Sequence, residues 1–245
     1  VGVVAAITPF NFPNMVPNWS IPNALALGNT MVLKPSELVP ISAGRIAELL
    51  KEAGLPTGVL QIVHGGQEAV EAICDHPDIV GSTKVAKIVY RRATSNLKRC
   101  LALGGAKNHL IVMPDADREM TASNVVASMS GCAGQRCMAA SVMVAVSATD
   151  HIIKRMVEQA KAMVLGKDVG PVISDAARKR IIGYIDAAEK AGAKVLVDGR
   201  GASVKGQDGG YFIGPTIIDH VTPEMAIAQE EVFGPFLTVI PFKDE

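Results

Sequence analysis

Thr30-Met31-Val32-Leu33-Lys34-Pro35-Ser36-Glu37 reads as a short buried strand that ends in a proline-punctuated polar turn. Ile41 to Ala53 follows with helical spacing of its apolar residues, with Ser42 as a candidate N-cap and Gly54 as the stop. Val59-Leu60-Gln61-Ile62-Val63 is the next strand, and His64-Gly65-Gly66 is its turn. A strand, a helix and a strand at this spacing make a right-handed βαβ unit with parallel strands, which is a nucleotide-binding plan. This stretch sets the expected class as α/β.

The alternation continues on both sides. Val1-Gly2-Val3-Val4-Ala5-Ala6-Ile7-Thr8-Pro9 reads as a buried strand, and the abrupt start and finish suggest an internal piece of a longer chain. Downstream, helices are predicted over 67–75 and over 82–95, the second opened by Gly81-Ser82-Thr83. Strands are predicted over 110–113, 141–146, 193–197 and 236–240, and helices over 117–129, 150–164 and 175–191. The glycine-rich stretch 199–210 reads as a surface hairpin or loop. We expect two domains: residues 1–101 as a Rossmann-like, parallel-sheet NAD-binding domain, and 102–245 as an α/β catalytic domain built around a thiol. The Gly104-Gly105 pair would serve the crossing.

The 245 residues are 49% hydrophobic and carry 24 basic against 24 acidic side chains, so neither a nucleic-acid field nor a polybasic membrane face is expected. Aromatic residues make up 4%, too few for base-stacking platforms. The cysteines, Cys74, Cys100, Cys132 and Cys137, form no C-x-x-C pair and match neither a disulfide scaffold nor a zinc site, so no metal is expected. Their use suits a reducing compartment.

Several short segments could carry chemistry. Gly134-Gln135-Arg136-Cys137 places a cysteine beside an arginine and behind the small residues Ser130-Gly131-Cys132-Ala133. A thiolate is the attacking form of cysteine, and a nearby cation makes it more available. The competing reading is a buried structural cysteine. Pro9-Phe10-Asn11-Phe12-Pro13 fixes an amide after the first strand, suited either to an oxyanion or to capping its own turn. Lys34, Ser36 and Glu37 stand where a nucleotide ribose sits in a βαβ unit, or they form a solvated turn. Glu37 would also repel a 2′-phosphate, favouring NAD over NADP. Gly81 and Ser82 open a helix whose N–H groups suit a pyrophosphate, although any Ser N-cap looks alike. Glu231 and Phe233, in Glu230-Glu231-Val232-Phe233-Gly234-Pro235, could hold a second ribose and pack near the nicotinamide, or they form an acidic end before a turn.

In this order the segments resemble the aldehyde dehydrogenase superfamily. The matching motifs are Thr8 to Pro13, Leu33 to Glu37, Val80-Gly81-Ser82, Gly134 to Cys137, Gly214-Pro215-Thr216 and Glu231 to Pro235. Gly105-Ala106-Lys107-Asn108-His109, Val112 to Ala116, Asn14 to Trp19 and Gly134 to Ala139 resemble most the CoA-acylating methylmalonate-semialdehyde (malonate-semialdehyde) dehydrogenases. Hydrolytic members carry Glu-Leu-Gly-Gly at the crossing; here the chain reads Leu101-Ala102-Leu103-Gly104-Gly105, without that general base. Two segments are shorter than the family pattern: Pro77 to Gly81, and Val164 to Asp168 before Val169-Gly170-Pro171.

The resemblance implies that Cys137 is the nucleophile and that Asn11 is an oxyanion donor. It implies a carboxylate-bearing semialdehyde as substrate, which Arg136 is a candidate to hold; the alternatives for Arg136 are thiolate tuning and a salt bridge. NAD is the implied oxidant, contacted by Lys34, Ser36, Glu37, Gly81, Ser82, Glu231 and Phe233. Coenzyme A is the implied acyl acceptor after decarboxylation, giving propionyl-CoA or acetyl-CoA. A homo-oligomer (dimer or tetramer) is implied, in a bacterial cytoplasm or a mitochondrial matrix. A hydrolytic aldehyde dehydrogenase and a silent NAD-binding relative remain the alternatives.

Overall fold

The computed structural model describes residues 2–75, 84–97, 99–101 and 104–243. The chain divides into two compact units, Val1–Gly105 and Ala106–Glu245.

In the first unit, β1 (Val3–Ile7), β2 (Thr30–Lys34) and β3 (Leu60–Ile62) form a parallel sheet in the order β1-β2-β3. Val3 pairs with Thr30 and Ile7 with Lys34, so the two strands end level. Period-two alternation puts Val4, Ala6, Met31, Leu33, Leu60 and Ile62 into one cluster. Against it pack Ile21, Ala24 and Leu25 of α1 (Ile21–Ala26) and Ala43, Ile46 and Leu50 of α2 (Pro40–Glu52). Ser42 does not cap α2. The helix opens two residues earlier, at Pro40, whose ring pre-sets a helical φ and whose missing N–H needs no partner there. Gly54 does end it, at φ +96°. Helix α3 (Gln67–Asp75) is joined to α4 (Lys84–Ser95) by Arg92, which pairs with Glu71 at 3.2 Å and with Asp75 at 3.1 Å. Gly81 and Ser82 lie outside the described residues.

The second unit is a five-stranded sheet in the order β4-β5-β8-β7-β6, from β4 (His109–Val112), β5 (Val142–Val146), β6 (Lys194–Val197), β7 (Thr216–Asp219) and β8 (Phe236–Phe242). All its pairings are parallel except that of the edge strand β6 with β7, which is antiparallel. Alternation sends Ile217, Leu237 and Val239 to one face, with Met129 of α5 (Arg118–Ser130) and Ile152 and Met156 of α6 (Asp150–Ala162). It sends Ile218 and Phe236 to the other, with Ile181 and Ile185 of α7 (Asp175–Lys190) and Ile227 of α8 (Ala226–Gln229). Burying each large apolar side chain contributes about 1.5–3 kcal/mol, so the two faces hold a helix–sheet–helix sandwich together. Asp117 caps α5 by accepting from the Met120 N–H at 2.7 Å, and Ser174 caps α7 by accepting from Ala177 at 3.2 Å. The short segment after Val164 closes on itself: Gly166 N–H donates to Val169 O at 2.8 Å, and Val169 is buried.

Candidate active site

Helix α5 ends at Gly131, and the chain then turns sharply. Cys132, Ala133 and Gly134 adopt φ of 52°, 52° and 69°, a left-handed run that costs the non-glycine residues about 1–2 kcal/mol each. Such strain persists only where surrounding contacts over-determine it. Two contacts do so here. A Cβ on Gly134 would lie 1.8 Å from the Gly234 carbonyl oxygen, so the segment leading to Cys137 and the Glu231 to Pro235 segment meet backbone to backbone. A Cβ on Gly131 would lie 2.2 Å from the Arg136 guanidinium, so the small-residue run makes room for Arg136.

The Arg136 Nη2 donates to the carbonyls of Ala127 at 2.8 Å and Ser128 at 2.9 Å. Both carbonyls lie in the last turn at the negative end of α5, that of Ala127 also accepting from the Gly131 N–H, so the arginine caps the helix that leads to the cysteine. Its Nε is buried with no hydrogen-bond partner among the described residues.

Cys137 follows in an exposed turn. Asn108, just ahead of β4, holds this turn: its Nδ2 donates to the Cys137 carbonyl at 2.6 Å and to the Ala139 carbonyl at 3.1 Å. Ser128 Oγ accepts from the Ala140 N–H at 2.9 Å. The backbone under the thiol is therefore fixed while the side chain stays accessible. Asn108 entered the sequence reading only within a family-like segment; an isolated Asn before a strand carries no signal of a contact 29 residues away.

Cys137 and Arg136 line one open cleft with Ala106, Asn108, Glu231 and Phe233. The cleft lies at the N-terminal edge of β4, β5 and β8, because Asn108, Ser141 and Phe236 stand where those strands begin. Glu231 is half-buried, and burial pushes its carboxyl above the ordinary carboxylate range; the Ala106 N–H, Lys107 and Arg180 oppose that shift. Phe233 sits at φ 59°. Among the described residues no group of three or more His, Cys, Asp or Glu could hold a metal ion.

In the first unit Lys34, Ser36 and Glu37 stand at the C-terminal edge of the sheet. Thr8 N–H donates to the Lys34 carbonyl at 3.0 Å, which places the Asn11 turn beside the end of β2. Lys34 is 3% exposed and donates through Nζ to Glu37 at 2.8 Å. That bond holds the mostly exposed Glu37 carboxyl below its ordinary range. Ser36 Oγ accepts from the Leu38 N–H at 3.3 Å. A buried lysine thus aims an outward carboxylate from a strand end, where α/β sheets bind ligands.

This chain belongs to the aldehyde dehydrogenase family, whose profile matches residues 1–245. It is 51% identical to malonate-semialdehyde dehydrogenase 3 of Geobacillus kaustophilus over 257 aligned positions, covering 100% of this chain and 53% of that protein. It is 48% identical to the malonate-semialdehyde dehydrogenase of Pseudomonas aeruginosa, covering 98% of this chain and 51% of that one. The crystal structure of methylmalonate-semialdehyde dehydrogenase from Oceanimonas doudoroffii superposes with a TM-score of 0.96 at 48% identity, over 99% of this chain and 52% of that one. Betaine aldehyde dehydrogenase from Staphylococcus aureus, solved with NAD+, gives a TM-score of 0.93 at 32% identity, over 99% and 51%. The chain spans about half the length of the curated relatives it matches.

Proposed function

We propose that the protein containing this chain oxidises malonate or methylmalonate semialdehyde with NAD and transfers the acyl group to coenzyme A. The observation that carries this reading is Cys137, an exposed thiol in a cleft shared with Glu231 and Phe233. The malonate-semialdehyde dehydrogenases at about 50% identity support the substrate class. The missing glutamate at Leu101 to Gly105 supports thiol rather than water as acceptor. We assign residues 1–101 to cofactor binding and 102–245 to the thiol chemistry.

The residues present fit NAD. The Lys34-held Glu37 offers a carboxylate to both hydroxyls of one ribose and opposes a 2′-phosphate, and Glu231 serves the nicotinamide ribose. Ser36, Gly81, Ser82 and Phe233 complete the assignment on the resemblance alone.

The Cys137 thiolate adds to the aldehyde carbon, and the carbonyl electron pair moves onto oxygen. The Asn11 amide and a backbone N–H near Cys137 are assigned as donors to that oxygen. NAD, when bound, supplies the acceptor for the hydride that leaves the same carbon. Cys137 then carries the acyl group as a thioester. The substrate carboxylate, β to this carbonyl, departs as carbon dioxide; its electron pair enters an enolate that the thioester stabilises and a proton quenches. The coenzyme A thiolate attacks the thioester carbonyl and releases the Cys137 thiolate. Arg136 is assigned to the substrate carboxylate through the guanidinium edge not spent on α5. On the resemblance alone we place the protein in a homo-oligomer, dimer or tetramer, in the cytoplasm of a bacterium or the mitochondrial matrix of a eukaryote.

The test measures NADH formation from either semialdehyde with and without coenzyme A, together with Cys137→Ala and mass spectrometry of the acyl product. The expected result is acyl-CoA, and no turnover in the alanine variant. Equal turnover without coenzyme A, or activity surviving the substitution, rejects the mechanism.

A further inference from the structure

Cys137 and Met138 are the central residues of a β-turn, closed where the Ala139 N–H donates to the Arg136 carbonyl at 3.0 Å. Such a turn has two common forms, type I and type II, which differ by a flip of the peptide between its central residues. Here that peptide runs from the Cys137 carbonyl to the Met138 N–H. Type II needs a positive φ at the second central residue, and Met138 does not have one. A side chain at that position disfavours the flip without forbidding it. The closing Arg136–Ala139 bond is common to both forms, so it does not hold the peptide either.

A residue outside the turn holds it instead. The Asn108 Nδ2 donates to the Cys137 carbonyl at 2.6 Å and to the Ala139 carbonyl at 3.1 Å. Two N–H groups meet two acceptors, which also settles which end of the amide faces the turn. The backbone carbonyl of the same residue accepts from the Val142 N–H at 3.2 Å, where the β4–β5 pairing begins. Asn108 is thus bonded to the chain both at the cysteine turn and at the start of β5. It carries the position of the sheet edge to the peptide under the thiol, and it lines the same cleft as Cys137.

We infer that Asn108 is a positioning residue that locks the Cys137–Met138 peptide against rotation and so keeps the thiol in one orientation. Rotation of that peptide turns the Cys137 backbone about ψ and carries the Met138 N–H toward the side where the carbonyl now stands. The lock requires donors at position 108, because both groups it meets are carbonyl oxygens. The consequence for catalysis rests on the reading of Cys137 as the nucleophile; the lock on the peptide does not.

The experiment compares the intact wild-type enzyme with Asn108→Leu, which keeps the side-chain shape without its N–H groups, and with Cys137→Ala. A crystal structure is determined for Asn108→Leu. NADH formation from malonate semialdehyde is followed in a single turnover, whose rate constant, unlike its amplitude, does not change with the fraction of enzyme folded. In Asn108→Leu we expect the Cys137–Met138 peptide to leave its wild-type orientation and the single-turnover rate to fall roughly tenfold or more. The steady-state KM for the semialdehyde should stay within about threefold, because a misplaced thiol costs rate rather than binding. A peptide unmoved in the crystal structure overturns the lock, whatever the rate. A rotated peptide with a rate within about twofold of wild type overturns the positioning role. Turnover by Cys137→Ala instead removes the nucleophile reading, and the crystal structure then decides the lock alone. If Asn108→Leu does not fold, Asn108→Ala takes its place under the same outcomes.

Discussion

At the residue scale, Gly134 carries the tightest constraint in the candidate site. Its φ of +69° disfavours any side chain, and a Cβ would run into the Gly234 carbonyl. Gly134→Ala adds left-handed strain to backbone overlap, so we expect a loss of about 2–5 kcal/mol, or failure to fold. Gly183 is the internal control: it lies inside α7 with nothing within 4 Å of a built Cβ, so Gly183→Ala should gain about 0.5–1 kcal/mol. Urea unfolding of both variants checks the pair. Lys107 gives a pH signature of its own. With its amine at about 8 in the fold against 10.5 as a free group, the unfolded chain binds the extra proton between those values. Stability attributable to Lys107 therefore rises across that window, and the cost of the buried charge is fully present below it. Subtracting the unfolding curves of Lys107→Met from those of the wild type should leave this rise between about pH 8 and 10.5; a flat difference contradicts it.

At the scale of elements, the Cys137 turn is tied at both ends. Arg136 caps the last carbonyls of α5, and Asn108 binds the turn to the start of β4. Asn108→Ala leaves the Cys137 and Ala139 carbonyls without that donor. We expect a cost of about 1–2 kcal/mol. We also expect faster amide exchange confined to the segment around 137–141, seen by mass spectrometry; exchange unchanged there would show that the turn holds itself. Most elements were legible because their signals are local. The span 67–75 for α3 is the same in sequence and structure, since its apolar spacing lies between a glycine turn and a polar stop. The start of α2 was not, because Ser42 looks like a cap while Pro40 opens the helix. β7 was missed as a strand: Thr216-Ile217-Ile218-Asp219 is four residues long, and its strand character comes from lying between β6 and β8.

At the scale of the molecule, the candidate site residues stand at the C-terminal edge of one sheet and the N-terminal edge of the other. The Lys34–Glu37 pair stands at the C-terminal edge of the first, as βαβ logic expects. The thiol cleft stands at the N-terminal edge of the second, where α5 feeds into β5. On the proposed reaction, the crossing segment would decide the fate of the thioester. Ala102→Glu restores a carboxylate at the position of the hydrolytic motif. It should raise release of free acid without coenzyme A by tenfold or more, on the order of a general base's contribution; unchanged acid release would mean that the missing base does not explain acceptor choice.

The order of motifs along the chain determined the class, the family and the candidate thiol, because hydrophobic period, glycine and proline punctuation and reactive side chains are local properties of sequence. Only the tertiary structure decided that Gly134 meets Gly234, that Arg136 caps α5, that Asn108 holds the cysteine turn and that the Lys107 ammonium lies buried over the Phe236 ring. Most of those contacts join residues far apart in sequence, and the strength of all of them comes from close approach and exclusion of water, which local sequence pattern does not record.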